Sequence, residues 1–171
     1  LRNDRVGVEE IVSTAGARTA ARVSGEPGLH VLAIEDTTTL RDDGDKRSLN
    51  AHPTIAVAAD TGALLGLVAL PMVRRIGGRR GARDRNSRAF VGKESHRWLD
   101  GAEAAAGLRA AAAAMVTVMA DREGDIYELF ANKPDAVELL VRSNHDRLLS
   151  EGSKMSDRLE ACALAGMSAV T

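Results

Sequence analysis

This chain of 171 residues has one cysteine, Cys162, so no disulfide can form within it and a disulfide-stapled scaffold is excluded. Aromatic residues make up 2% of it: Phe90, Trp98, Tyr127 and Phe130. Ala, Val, Leu and Ile must therefore fill the core, and base stacking on aromatic platforms is a poor basis for nucleic-acid contact. No apolar run approaches the roughly 20 residues of a membrane-spanning helix, because charges or glycines interrupt each one. No basic head followed by an apolar signal core is visible, and the first residue is Leu1 rather than Met. The expectation is a piece of a longer product, in a reducing cytoplasm. What is present, 44% apolar and 27% charged residues, describes a single globular domain rather than a disordered chain.

The net charge of -1 conceals a segregation. Arg74 to Trp98 holds nine Lys/Arg and two acids, a local charge of +7, which leaves -8 for the remainder. Its centre, Arg74 to Arg88, is so rich in Gly and Arg that it reads as a basic loop with no regular element. Arg79, Arg80 and Arg83 in it are candidates for phosphate contact, and a solvated insertion without a partner is the alternative.

Helical spacing of Val8, Ile11, Val12, Ala15, Ala20 and Val23 predicts a helix over Gly7 to Val23, and Gly25-Glu26-Pro27-Gly28 ends it. A β-prone run from Leu29 to Ile34 then delivers Glu35-Asp36-Thr37-Thr38 at its carboxyl end. Thr54 to Ala59 and Leu64 to Leu70, joined by Asp60-Thr61-Gly62-Ala63, predict an antiparallel hairpin. Lys93 to Ala114 is helical in composition, with Trp98 as its one large anchor. Met115 to Ala120 reads as a buried strand, Gly124 to Asn132 as a short helix, Val137 to Val141 as a strand and Lys154 to Ala165 as an amphipathic stretch. This order implies the α/β class, with a mixed sheet flanked by helices rather than a doubly wound parallel sheet.

Two strand ends carry acids: Asp36, and Asp121 within Asp121-Arg122-Glu123-Gly124-Asp125. If their strands are neighbours, Asp36 and Asp121 converge and would repel one another without a cation, and hard oxygen donors favour Mg²⁺ or Mn²⁺. Two such ions can promote phosphoryl transfer. The same residues also suit local structure: Asp125 with Glu128 as a capping box, Asp121 as a cap of the same turn, and Asp36 in an Asx turn with Thr38. No Cys/His metal pattern, Walker loop or Gly-x-Ser-x-Gly elbow is present, and the four histidines have no ligand-like spacing.

Five segments then occur in order: Leu32 to Leu40 around Glu35-Asp36-Thr37-Thr38, His52-Pro53 before Asp60-Thr61-Gly62, Lys93-Glu94-Ser95-His96-Arg97-Trp98-Leu99, Asp121 to Tyr127, and Val141-Arg142-Ser143-Asn144-His145. Together they resemble the bacterial cut-and-paste transposases of the IS-four family, in its Tn-five branch. The resemblance implies a ribonuclease-H-like catalytic core, here incomplete at its carboxyl end. It also implies an Asp, Asp, Glu triad that holds two Mg²⁺ ions to cleave double-stranded DNA at transposon ends and join it to a target. Asp36 and Asp121 match the two aspartates. Arg142 and His145 fall in a segment that lies near the active site and DNA in such proteins, and Lys93, Arg97 and Arg122 are further candidates for phosphate contact. The Tyr, Arg, Glu, Lys signature that supplies the third carboxylate has no match here. The resemblance covers residues 1–171 as a partial core without the end-binding domain, the third-carboxylate region or the dimerisation region through which the full-length family forms homodimers. It implies a bacterial, nucleoid-associated protein that is inactive alone, or alternatively a non-catalytic remnant that binds DNA and interferes with an intact relative.

Overall fold

A computed structural model describes residues 7–44, 47–76 and 94–163. In chain order its elements are α1 (Val8–Gly25), β1 (His30–Glu35), β2 (Thr38–Gly44), β3 (Arg47–Ala51), β4 (Thr54–Ala58), β5 (Leu64–Ala69), β6 (Met72–Ile76) and α2 (His96–Ala110). They continue with β7 (Met115–Ala120), a 3-10 turn (Arg122–Gly124), α3 (Tyr127–Asn132), β8 (Glu138–Val141) and α4 (Met155–Glu160). The chain is therefore mixed α/β, and no helix among the described residues is long and apolar enough to cross a membrane.

The main sheet has the order β5-β4-β1-β7-β8. The hairpin of β4 and β5 lies on one side of β1, with β4 antiparallel to it, while β7 and β8 continue in parallel on the other. Helix α2 joins the two halves, because a parallel neighbour to β1 requires a crossover that a tight turn cannot supply. Period-two alternation sets the face: Val31, Ala33, Ala56, Ala58, Val116 and Val118 are buried, while Leu32, Ile34, Ile55, Val57 and Met119 on the opposite face are half-buried.

On the buried side α2 contributes Trp98, Leu99, Ala102, Ala105 and Leu108 to the core. Its alanines let the helix lie close to the sheet, and Trp98 fills the space that so few other aromatics could fill. Helix α1 packs on β5 by polar as well as apolar contact: Thr19 Oγ1 donates to the Leu67 carbonyl at 2.7 Å and Arg22 Nη1 to that of Leu65 at 2.8 Å. Gly66 sits between these carbonyls at φ +142°, and a Cβ there would lie 2.4 Å from Thr19 Oγ1. The approach of helix to strand thus demands glycine.

The second sheet, with order β2-β3-β6, is absent from the sequence expectation. Its edge strand β2 is exposed at every residue, so no hydrophobic alternation announces it. Two irregularities in the register between β2 and β3 disturb the pattern further. Strand β6 also corrects the basic loop. Arg74 and Arg75 pair with Leu49 and Ser48 in a regular antiparallel ladder, because β3 offers them backbone partners that composition does not reveal. Residues 77–93, with Arg79, Arg80, Arg83 and Lys93, lie outside the described residues.

Candidate functional site

The register of the three parallel strands builds the site. Glu35 lies opposite Ala120 and Ala120 opposite Val141, so the next residues, Asp36, Asp121 and Arg142, leave the same edge of the sheet side by side. The Arg142 amide donates to the Ala120 carbonyl at 3.0 Å, which carries the alignment one residue past β8. All three are exposed.

Each aspartate is also bound into its own turn. Asp36 Oδ1 accepts from the Thr37 amide at 2.7 Å, one residue short of the expected turn with Thr38. Asp121 Oδ1 accepts from the Glu123 amide at 2.8 Å and so caps the 3-10 turn, as the local reading of the sequence also allowed. Local structure takes one oxygen of each carboxylate, and no hydrogen bond to the other is found among the described residues.

Asp125 is not the capping-box residue its spacing with Glu128 suggested. It is buried, and its Oδ2 accepts from the amides of Asn144 and His145 at 2.7 and 2.8 Å while Arg147 pairs with Oδ1. Burial alone would raise this carboxyl, but Arg147 and the two amides outweigh it and hold it below the ordinary carboxylate value. The result ties the segment after β8 to the segment after β7, which fixes where Arg142 and His145 emerge. Both are exposed, as is Arg122.

Arg97 is placed differently from the expectation. Its side chain is only 8% exposed. Its Nε donates to Thr37 Oγ1 at 3.1 Å, Nη1 to the Glu94 carbonyl at 2.7 Å and Nη2 to Glu123 Oε2 at 2.9 Å. It also lies 5.5 Å from the centre of the Trp98 ring. With three of its five N–H groups bound within the protein, it holds the strand ends together.

Sequence reasoning missed what lies beneath the edge. Glu35 and His52 are both fully buried, with His52 Nε2 3.4 Å from Glu35 Oε2 and Nδ1 2.8 Å from Thr37 Oγ1. The His52 ring meets Trp98 edge-on, with centres 4.4 Å apart. Burial, reinforced by Asp100, raises the Glu35 carboxyl to about 8. Burial, with Arg97 adding to it and Asp121 opposing, lowers His52 to about 4. At neutral pH the two form a neutral hydrogen-bonded pair, which avoids the cost of two buried charges. The alternation of β1, which puts Glu35 on the same face as Val31 and Ala33, is the signal that could have found this acid.

No protein-family model matches the chain, and neither does any curated protein.

Proposed function

We propose that this chain is a segment of the catalytic core of a metal-dependent DNA transposase, with Asp36 and Asp121 as carboxylate ligands of Mg²⁺ or Mn²⁺. The register that brings Asp36, Asp121 and Arg142 side by side at the carboxyl edge of β1, β7 and β8 carries this reading. Two acids and a base in one row suit a divalent ion and the phosphate it acts on. A central strand with an antiparallel hairpin on one side and two parallel strands on the other supports the ribonuclease-H-like fold that the motif resemblance implies.

The donor set fits a hard cation in kind, since each aspartate keeps an oxygen outside its turn. It is short in number: among the described residues no group of three His, Cys, Asp or Glu stands ready to hold a metal. Asp36 and Asp121 would hold the ion, and when bound it supplies activation of a water or a 3'-hydroxyl and stabilisation of the leaving oxygen. Arg122, Arg142 and His145 are the exposed residues that would receive the DNA backbone, and the basic segment with Arg79, Arg80, Arg83 and Lys93 adds charge for the same partner. With two carboxylates alone, the chain binds the ion weakly and does not cut DNA.

Calorimetric titration with Mn²⁺ tests this on the chain and on its Asp36→Ala and Asp121→Ala variants. Binding that is lost in both variants is the expected result. No binding by the parent chain would overturn the metal site, and salt-dependent affinity for duplex DNA would then leave a non-catalytic binding module as the better reading.

A further inference from the structure

The buried position of Arg97 has a geometric meaning. Helix α2 sets its guanidinium between the loops that follow β1 and β7, where Nε reaches Thr37 Oγ1 at 3.1 Å and Nη2 reaches Glu123 Oε2 at 2.9 Å. Thr37 directly follows Asp36, and its amide is the one that Asp36 binds. Glu123 stands two residues after Asp121, and its amide is the one that Asp121 caps. One planar side chain, anchored by the Glu94 carbonyl and the face of Trp98, therefore holds both aspartate-bearing turns. A lysine, with its donors at a single point, cannot span them.

The contacts continue inward. A guanidinium only donates, so Thr37 Oγ1 accepts from Arg97. Thr37 Oγ1 also lies 2.8 Å from His52 Nδ1, and His52 Nε2 faces Glu35 Oε2 at 3.4 Å.

We propose that Arg97 is a positioning residue that clamps the Asp36 and Asp121 turns to one another and ties them, through Thr37 and His52, to the buried Glu35. The clamp stands on these contacts alone. Its consequence for metal binding rests on the function proposed above.

Nitrogen-15 NMR of the 171-residue chain at neutral pH, beside Arg97→Met and Arg97→Lys, tests the proposal. In Arg97→Met the signals of both turns, Asp36-Thr37 and Asp121-Arg122-Glu123, shift together. The His52 ring signals shift with them, because Thr37 Oγ1 links Arg97 to the ring. Arg97→Lys does not restore both turns. Where the parent binds Mn²⁺, Arg97→Met weakens that affinity by at least about tenfold, the scale of losing an outer-shell partner. Shifts confined to one turn in a folded variant would overturn the clamp. If Arg97→Met does not fold, Thr37→Val, which removes the acceptor alone, decides: signals of the Asp121 turn that stay in place would overturn the clamp. A parent that binds no Mn²⁺ counts against the metal site and leaves the NMR result to judge the clamp by itself.

Discussion

Glu35 and Asp36 are neighbours in the chain and opposites in surroundings. The Glu35 side chain is fully buried beneath the sheet edge, beside His52 and under α2, while Asp36 stands exposed on the edge itself. Alternation along β1 turns one carboxylate inward, and the strand's end releases the other outward. The inner one is held as a neutral acid, because burial raises its carboxyl to about 8. The outer one has water to support its charge and an oxygen to offer a ligand. Acidic residues at a strand end therefore do not form one class, and their position relative to the last ladder pair decides which chemistry they can do.

If the inner region is structural, breaking it must cost stability. Trp98→Ala should cost most, about 4 kcal/mol, because Trp98 is the largest fully buried side chain and both His52 and Arg97 lie against its ring. Chemical denaturation of the variant would show it, and a loss under about 1 kcal/mol would mean that the inner cluster does not organise the core. Gly101→Ala comes next, at between about 2 and 3 kcal/mol. Its new Cβ would lie 2.3 Å from Glu35 Oε1 and 2.6 Å from Thr54 Oγ1, and neither side chain has open space to retreat into.

The protonation of the inner pair sharpens the contrast. Burial raises Glu35 from 4.5 to about 8, so between those values the folded chain keeps a proton that the unfolded chain releases, and stability falls as pH rises. His52 is lowered from 6.5 to about 4, so over that range the unfolded chain takes up a proton that the folded chain refuses, and stability rises with pH. The two slopes oppose one another between 4.5 and 6.5, and above 6.5 Glu35 acts alone. In metal-free buffer the expected fall is about 1.4 kcal/mol per pH unit, or about 2 kcal/mol by pH 8. Glu35→Gln should abolish that fall and keep the rise at lower pH. A flat profile from pH 6.5 to 8 in the parent would show that Glu35 is already ionised in the folded chain.

These outcomes bear on what the residues disclose before folding. The strand runs ending in Glu35 and Ala120 are legible because they are apolar and bounded by acids, and the meeting of Asp36 with Asp121 follows once the two runs are neighbours. Strands β2, β3 and β6 are not legible. Strand β2 is exposed throughout and β3 and β6 mix polar and apolar residues without a clear alternation, so Arg74-Arg75 reads as loop until β3 is placed beside it. Arg97 illustrates a different limit. Its burial depends on where α2 crosses the strand ends, which is a tertiary fact, and a basic residue next to Trp98 carries no local mark of it. His52 is similar, since its Pro53 neighbour signals a turn but not the acid and the tryptophan it meets.

The smallest expected effect lies on the outer edge, and it is the one that separates the two regions most cleanly. Asp36→Asn keeps a side-chain oxygen that can accept from the Thr37 amide, and Asp121→Asn replaces one good cap by another. Each variant should therefore lie within about 0.5 kcal/mol of the parent in stability. The direction should favour the variant slightly at low salt, because each change relieves repulsion between two carboxylates at adjacent strand ends, and added salt should erase that gain. Thermal unfolding at two ionic strengths measures both points. A loss above about 1 kcal/mol in either variant would mean that the outer aspartates hold the fold as the inner residues do. Near-neutral stability together with lost Mn²⁺ binding would instead show two carboxylates that the fold tolerates without needing, as a ligand site requires.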